Sequence, residues 1–257
     1  MPETDLAVLI AAAQAAGEVV GKFNGPNTKQ WYKPNDAGPV SEADLAVNDV
    51  LLAHLTRARP DYGWLSEETE DNSKRLQAER VFIVDPIDGT RSFINGEKTW
   101  SHALAVVERG EVIAGVVYLP MLDKFYTAAR GQGAYLNGER LQISNCQNMC
   151  GAQILSTRAN LEPQHWRTVV PKFQHHHRPS LAYRLALVAQ GKFDAMLTFR
   201  DSWEWDIAAG ALLAAEAGAT ISDKTGAALR FNSPAAQTRG IVVAGPELYA
   251  QIVSRLA

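Results

Sequence analysis

The sequence predicts an α/β fold built in layers, with mixed and antiparallel sheets in place of a single parallel sheet. Segments with apolar residues at helical spacing share the chain with short apolar runs that are typical of strands. In the middle of the chain, three such runs follow one another with only turn signals between them, which indicates an antiparallel meander. With 257 residues, the chain is long enough to bury a substantial core.

The first part of the chain predicts two helices joined by a loop. Residues 4–22 are rich in alanine and carry apolar side chains at helical spacing, which predicts the first helix. The stretch Asn24–Pro39 contains several proline and glycine residues and is interpreted as a loop. Ser41 is a suitable N-cap for a second helix that runs to about Arg59.

Strands dominate from Tyr62 onward. The runs Tyr62–Leu65 and Val81–Val84 are predicted strands, and each ends directly in carboxylates. Turn signals at Arg109-Gly110 and Pro120–Asp123 separate the runs of the meander. Those runs are Ala103–Glu108, Glu111–Tyr118 and Lys124–Ala129.

Helices and strands are interspersed after about residue 150, so we divide the chain into two lobes of one compact unit, residues 1–145 and 146–257. Strands are predicted at Gln153–Ser156, Asp194–Phe199, Ala219–Ser222 and Gly240–Ala244. Helices are predicted at Glu162–Val170, Ser180–Gln190 and Trp203–Ala217, with one more at the C-terminus. The consecutive histidines His175–His177 are interpreted as part of a surface loop, because no distant third ligand accompanies them.

Composition and charge favour a cytoplasmic globular protein. The hydrophobic content of 46% and the charged content of 21% are ordinary, and the net charge of −3 argues against a nucleic-acid-binding surface. Glu3 and Asp5 stand where a secretory signal would carry basic residues, and the sequence has no run of about 18 apolar residues. Cys146 and Cys150 are too few for a disulfide framework and suit a reducing compartment.

The stretch Asp-Pro-Ile-Asp-Gly-Thr, which begins at Asp85, is the most informative for function. Asp85 and Asp88 can converge on a hard cation, and the Ile87 carbonyl can act as a further oxygen ligand. Gly89 lets the backbone approach a ligand closely, and amides at a helix start near Thr90 can hold phosphate. The same residues also suit an ordinary turn, so this stretch alone leaves both interpretations open.

Other carboxylates occupy similar positions along the chain. Glu67 and Glu68 follow a predicted strand, where adjacent acids are usually solvated. Asp206 lies in the first turn of a very apolar helix, where it either complements the helix dipole or is a buried acid in need of a partner. Asp44 stands three residues after Ser41 in an approximate capping box. Taken together, these acids predict a metal site.

These segments resemble the inositol monophosphatase superfamily in their order and separation. The resemblance rests on Ser66–Glu68, on Asp85–Thr90, on Trp205–Gly210 and on the upstream segment Pro39–Asp44. It implies a layered αβαβα fold of the sugar-phosphatase type and a lithium-sensitive site that holds two or three Mg²⁺ ions. It also implies a homodimer that hydrolyses small phosphate monoesters with metal-activated water.

The resemblance assigns roles to individual residues. Asp44, Thr90 and Glu67 are the expected catalytic residues, with Asp44 and Thr90 orienting the attacking water, and Glu68 is an additional candidate near the metals. The expected metal ligands are Glu67, Asp85, the Ile87 carbonyl, Asp88 and Asp206. The expected substrate contacts are Asp88, Gly89, Thr90, Phe199, Arg200 and Asp206.

The substrate is less well determined. In inositol-specific relatives a glutamate precedes the Trp-Asp aspartate by seven residues, but Phe199 occupies that position here unless a shifted loop lets Asp201 substitute. The stretch Thr90–Glu97 and Ser66 resemble instead the branch that removes the 3′-phosphate of adenosine 3′,5′-bisphosphate. Phe199 would then stack on the base and Arg200 or Arg184 would pair with the second phosphate. A core phenylalanine and solvated arginines are an alternative of at least equal weight.

Two further hypotheses do not involve catalysis. The acids could hold a structural ion and an anionic metabolite without turnover, although Thr90 and Asp44 argue against this because a structural ion needs no water-orienting pair. The second is a regulatory protein that binds RNA or transcription machinery, a role that some members of the superfamily have besides catalysis. The net charge of −3 makes this second hypothesis the weaker one.

Overall fold

A computed structural model describes residues 3–34 and 38–257. The helices of this part are α1 (Asp5–Val20), α2 (Glu42–Ala58), α3 (Thr90–Ile94), α4 (Leu181–Ala189), α5 (Glu204–Glu216) and α6 (Pro246–Val253). The strands of the first half are β1 (Gln30–Tyr32), β2 (Pro39–Ser41), β3 (Gly63–Ser66), β4 (Arg80–Asp88), β5 (Ser101–Glu108), β6 (Glu111–Leu119), β7 (Lys124–Ala129), β8 (Gly133–Leu136) and β9 (Glu139–Arg140). Those of the second half are β10 (Gln153–Leu155), β11 (Gln174–His176), β12 (Ala195–Thr198), β13 (Ser202–Trp203), β14 (Thr220–Ser222), β15 (Gln237–Thr238) and β16 (Ile241–Ala244).

The larger sheet of the described chain has seven strands, in the order β3-β4-β5-β6-β7-β8-β9. Strands β3 and β4 are parallel, and every later pair of neighbours is antiparallel. The predicted meander is therefore confirmed, and it continues through β8 and β9. Because β3 and β4 run in the same direction, the acidic residues that follow them lie at the same edge of the sheet.

Side chains alternate between the two faces of this sheet, and each face is covered by a helix pair. Phe82 and Val84 of β4 point toward α1 and α2. Val81 and Ile83 of the same strand point toward α4 and α5. Strand β4 is thus buried on both faces, which explains its nearly continuous apolar sequence.

The second sheet has five strands in the order β11-β10-β12-β16-β14 and is mixed. Its inner side chains, such as Met196 and Val243, pack against α4 and α5. Its outer side chains, such as Leu197 and Val242, pack with Leu248 of α6. The order of layers is therefore α1/α2, seven-stranded sheet, α4/α5, five-stranded sheet and α6, so the expected αβαβα sandwich is confirmed.

The structure corrects the predicted loop at Asn24–Pro39. Strand β1 lies within it and pairs antiparallel with β2, at whose start the loop was expected to end. Periodicity gave no sign of β1, because Trp31 and Tyr32 are exposed and a strand of this length shows no alternation. Residues 35–37 of the predicted loop lie outside the described residues.

The predicted helix Glu162–Val170 is wrong. Only Pro163–His165 form a short 3-10 turn. Beyond it, the backbone pairs with the C-terminal segment: the Arg167 amide donates to the Arg255 carbonyl at 2.8 Å, and Val169 is 88% exposed. The segment is bounded by prolines and is too short to form a helix without tertiary support.

The predicted surface loop at the three histidines is also corrected. His175 and His176 belong to β11, which pairs in parallel with β10, and only His177 is exposed. The proposed lobe boundary at residues 145/146 falls between the last strand of the large sheet and the first strand of the smaller one. No helix in the described part of the chain has the length and apolar content needed to cross a membrane.

Candidate active site

Strand β4 and helix α5 bring Asp85 and Asp206 together. Asp85 follows Ile83 on the face of β4 that packs against α4 and α5, and Asp206 lies in the first turn of α5. Asp88 joins them, and the three side chains offer oxygen atoms that all lie within 4.8 Å of one another. Asp85 and Asp206 are 121 residues apart in the sequence, and only the packing of the layers makes them neighbours.

The N-terminus of α4 holds Asp88 in place. One carboxylate oxygen accepts hydrogen bonds from the Ser180 hydroxyl at 2.6 Å and the Ala182 amide at 2.7 Å, and the other accepts from the Leu181 amide at 3.3 Å. The helix dipole favours a carboxylate at this end. The first oxygen uses both of its lone pairs in these bonds and the second keeps one for a cation, so Asp88 is oriented but not saturated.

Burial and mutual repulsion raise the pKa values of this group. The pKa of Asp85 lies well above its ordinary value because the carboxyl is buried and because Glu67, Asp88 and Asp206 surround it. Burial likewise raises the pKa of Asp206, with Asp88 and Glu67 adding to the shift. The pKa of Asp88 is raised to about 6 by burial, against the hydrogen bonds that it accepts.

A divalent cation fits these residues. Oδ1 of Asp85 is buried and has no hydrogen-bond partner among residues 3–34 and 38–257. Such an oxygen is costly to bury alone, and a cation would satisfy it while neutralising the surrounding carboxylates. The donors are all oxygen, which suits Mg²⁺, Mn²⁺ or Ca²⁺ better than softer metals. The predicted ligands Asp85, Asp88 and Asp206 are therefore brought together.

Glu67 and Glu68 follow β3 and face Lys33. The Lys33 ammonium donates to Glu67 at 2.9 Å and to Glu68 at 2.6 Å. Burial by itself lowers the pKa of Lys33, but the two carboxylates outweigh it, so the pKa lies above its ordinary value. Burial and the charge of Glu67 raise the pKa of Glu68 to about 7. Glu67 also lines the cavity beside Asp85.

Asp44 has the capping role and also reaches the site. Its Oδ2 accepts the Ser41 amide at 2.8 Å at the start of α2. Its Oδ1 accepts the Thr90 hydroxyl at 2.8 Å, and the Ile87 carbonyl lies 3.1 Å from the same hydroxyl. Burial raises the pKa of Asp44, partly offset by these hydrogen bonds. Both interpretations of Asp44 are therefore compatible: one oxygen caps α2 and the other holds Thr90.

Gly89 makes the sharp connection from β4 to α3. Its φ of +102° belongs to the left-handed region, which glycine adopts without strain. A Cβ at this position would stand 3.3 Å from Cβ of Trp100. The chain therefore turns directly from Asp88 into α3, whose first residue is Thr90.

A cavity of about 550 Å³ opens over these residues. Its acidic wall carries Glu67, Asp85, Asp88 and Asp206, together with Ile87, Gly89 and Thr90. The same cavity is also lined by the cations Arg91, Arg184 and Arg200, here called the basic wall, and by His177 and Thr157. A dianionic phosphate bound at a cation site on the first wall would leave the second wall free for another anionic group.

Of the expected substrate contacts near position 200, Arg200 lies at the cavity and Phe199 does not. Arg200 is exposed and lines the cavity. Phe199 is only 5% exposed, and its ring packs 5.2 Å from the ring of His165 and 6.2 Å from that of Trp166. Phe199 lies two residues after Leu197 of β12, so its side chain points to the same side of the sheet. It therefore faces the outer layer with α6 and not the cavity. Asp201 is exposed and is absent from the cavity lining in the described chain.

Sequence reasoning did not identify Lys33, Ser180 or His177 as parts of the site. Ser180 was placed in the correct helix, but its partner Asp88 is 92 residues away and no local pattern connects the two. Lys33 fell in a segment interpreted as a loop, and its partners Glu67 and Glu68 lie 34 and 35 residues further along the chain. The histidine run was visible in the sequence, although its position at the cavity was not.

Comparison with known proteins identifies the family. A family model described as the inositol monophosphatase family matches residues 1–257. The chain belongs to the inositol monophosphatase family. The αβαβα layers and the acidic cavity agree with this assignment. The chain is accordingly a phosphatase of a metal-dependent family, with a cluster of carboxylates that suits a metal.

Individual members of the family align over most of their length. The inositol-1-monophosphatase of Mesorhizobium japonicum is 34% identical, over 95% of this chain and 92% of that protein. The Nus factor SuhB of Pseudomonas aeruginosa is 33% identical over 86% of each chain. Among solved structures, the extragenic suppressor protein suhB from Bartonella henselae superposes with a TM-score of 0.81, at 28% identity and 96% coverage of both chains. The Thermotoga maritima IMPase gives a TM-score of 0.80, at 26% identity, with 96% of this chain and 94% of that chain covered.

Proposed function

We propose that this protein is a Mg²⁺-dependent phosphatase whose substrate carries a second anionic group, and that it removes the 3′-phosphate of adenosine 3′,5′-bisphosphate. The observation that supports this proposal is that three arginines line the same cavity as the four carboxylates. A simple monophosphate needs only the first wall. A bisphosphate uses both.

The acidic wall supplies the cation site. Glu67, Asp85, Asp88, Asp206 and the Ile87 carbonyl are the proposed ligands, for two or three Mg²⁺ ions. Bound Mg²⁺ neutralises charge on the phosphate and makes water more acidic. The hydrogen bonds from α4 keep Asp88 in one orientation, so the protein does not have to reorganise this ligand during the reaction.

Thr90 and Asp44 are the proposed pair that orients the attacking water. The Thr90 hydroxyl has two acceptors within reach, and the charged Asp44 is the stronger. With its hydrogen directed at Asp44, the Thr90 oxygen offers lone pairs to a water molecule in the cavity. The water can then donate one hydrogen to Thr90 while its own lone pair points at phosphorus. Glu67, at the edge of the same cavity, is a second proposed catalytic group.

Phosphate and the remaining substrate would contact different residues. Amides in the first turn of a helix have no partner within that helix, so those that follow Gly89 are available to phosphate oxygens. On the basic wall, Arg184 donates to the Arg178 carbonyl and, at 2.8 Å, to Nε2 of His177. Burial lowers the pKa of Arg184 to about 10, so it stays charged at neutral pH. Arg184 is thus a fixed cation, and Arg200 is an exposed one beside it.

Inositol monophosphate is the second candidate substrate. It is favoured by the name of the Mesorhizobium relative, an inositol-1-monophosphatase. The bisphosphate proposal departs from that name because Phe199 is directed into the outer core, where the inositol-specific pattern places a glutamate. Because Phe199 is buried in the outer core, the bisphosphate proposal does not include stacking of Phe199 on the base.

Phosphate release from adenosine 3′,5′-bisphosphate and from inositol 1-phosphate, side by side with Mg²⁺, tests the proposal. We expect a higher kcat/KM for the bisphosphate. Arg200→Gln should raise KM for the bisphosphate about tenfold, as for a lost hydrogen bond to a charged group, and leave inositol phosphate unchanged. Arg167→Gln, an exposed arginine outside the cavity lining, is the matched control. Equal KM values in wild type and Arg200→Gln would contradict the second-anion site.

We also propose a homodimer, from the family resemblance, and a cytoplasmic location, from the composition of the sequence. Sedimentation velocity at micromolar concentration tests the first, and fractionation of cells that express the protein tests the second. A monomer at these concentrations, or recovery outside the cytoplasmic fraction, would contradict them.

A further inference from the structure

A β-bulge lies inside the metal-site stretch. In the β4–β5 ladder, Asp85 pairs with Ala103 and Asp88 pairs with Ser101. Pro86 and Ile87 therefore oppose the single residue His102. In a regular strand, Asp85 and Asp88 would point to opposite faces because they are three residues apart. The extra residue in the bulge brings both side chains to the same side.

His102 is the residue that fills this bulge. Its side chain is fully buried, with 0% exposure, and its ring lies between those of Trp100 and Tyr118, at 5.6 Å and 6.0 Å. Nδ1 forms a hydrogen bond with the carbonyl of Pro86. A carbonyl only accepts, so Nδ1 carries the hydrogen. Burial lowers the pKa of His102 to about 4, so the ring is neutral and Nε2 bears a lone pair.

The two ring nitrogens of His102 differ, because one is hydrogen-bonded and the other is not. Nε2 is buried and has no partner among residues 3–34 and 38–257. An apolar residue at this position would avoid the cost of that unpaired nitrogen. It would also leave the Pro86 carbonyl without its donor, at a point where the bulge interrupts the ladder and a proline supplies no amide hydrogen. The hydrogen bond at Nδ1 is therefore what the imidazole contributes to this site.

We propose that His102 is a positioning residue for the cation site: by donating from Nδ1 to the Pro86 carbonyl, it holds the bulge that sets Asp85, the Ile87 carbonyl and Asp88 relative to one another. This inference rests on the proposed function, because it assigns His102 to the Mg²⁺ site. Among the described residues, His102 is not part of the cavity lining. Its effect passes through the peptide plane between Pro86 and Ile87, whose rotation would change the direction of the Ile87 carbonyl.

Two substitutions separate the hydrogen bond from packing. His102→Asn keeps a donor at the place of Nδ1, because the asparagine amide superposes on that part of the ring. His102→Leu fills the space but has no donor. Mg²⁺ alone, titrated into metal-free protein by calorimetry, should bind about tenfold more weakly to His102→Leu, within the range found for residues that support metal ligands. His102→Asn should stay within about twofold to threefold of wild type on the same ground.

Equal Mg²⁺ affinity in wild type and His102→Leu would overturn the inference, and so would equal weakening in both variants, which would indicate packing alone. Urea unfolding of each metal-free variant shows whether stability and affinity change separately. If His102→Leu does not fold, ¹⁵N spectra of the wild-type imidazole decide the question. A protonated Nδ1 at neutral pH supports the inference and a protonated Nε2 refutes it. Wild-type protein that binds Mg²⁺ but releases no phosphate would refute the proposed function. The Mg²⁺ affinities of the His102 variants would still test the positioning role of His102.

Discussion

Replacing Asp85 with asparagine is expected to stabilise the metal-free protein while abolishing its binding of Mg²⁺. The Asp85 carboxylate is buried, with 1% exposure, and faces other acids whose oxygens lie within 4.8 Å. At that distance and an effective dielectric of about 20, two unit charges repel by about 3.5 kcal/mol. Because the raised pKa values imply partial protonation, we expect a gain of about 1–3 kcal/mol in the free energy of unfolding.

The assay is thermal unfolding of metal-free protein at pH 8 and at pH 5. A gain of this size corresponds to about 3–9 °C in Tm for a chain of this length. A carboxyl whose pKa is raised in the folded state stabilises it below the unfolded pKa and loses that contribution as pH rises through the folded value. Wild type should therefore gain stability from pH 8 to pH 5, as the pKa of Asp88, near 6, is passed, and the advantage of Asp85→Asn should shrink.

Two controls accompany this measurement. Asp61→Asn removes a charge from an exposed turn outside the cluster and should leave Tm unchanged. Mg²⁺ at about a hundred times its Kd should stabilise wild type by about 2.7 kcal/mol and leave Asp85→Asn unaffected. A lower Tm for metal-free Asp85→Asn at pH 8 would refute the reasoning, because it would mean that the charged carboxylate is stabilised by its surroundings without a cation.

Three other substitutions test separate parts of the structure. Thr90→Val should lower kcat by about a hundredfold with a small change in KM, since positioned proton-transfer groups contribute at least this much; an unchanged kcat would exclude Thr90 from water orientation. Phe199→Ala should cost about 3–5 kcal/mol in urea unfolding and leave KM unchanged in the surviving folded protein, whereas a raised KM at little cost in stability would place Phe199 at the substrate. Glu204→Gln should cost about 1–3 kcal/mol, because Glu204 accepts the amides of Asn232 and Ser233 and an amide side chain cannot accept at both atoms; the same unfolding curves check it.

Most of the fold could be predicted because its elements have local patterns. The meander β5–β7 consists of apolar runs of six residues or more, separated by turn signals, and was predicted nearly to the residue. The prediction of a helix at Glu162–Val170 was wrong because the backbone at Trp166 and Arg167 pairs with the C-terminal segment in an irregular conformation. Local periodicity cannot distinguish these cases when a segment is short and its partner is distant in sequence.

In the candidate site, too, some features follow from local sequence and others only from the tertiary structure. The sequence alone determined the carboxylates and the Gly-Thr turn, because each lies in a short motif with its own local chemistry. Only the tertiary structure placed Ser180 on Asp88, His102 behind Pro86 and Phe199 in the outer core. These relations depend on which face of a strand meets which layer and on where a bulge changes the register, and both are settled by packing between elements that lie far apart in the chain.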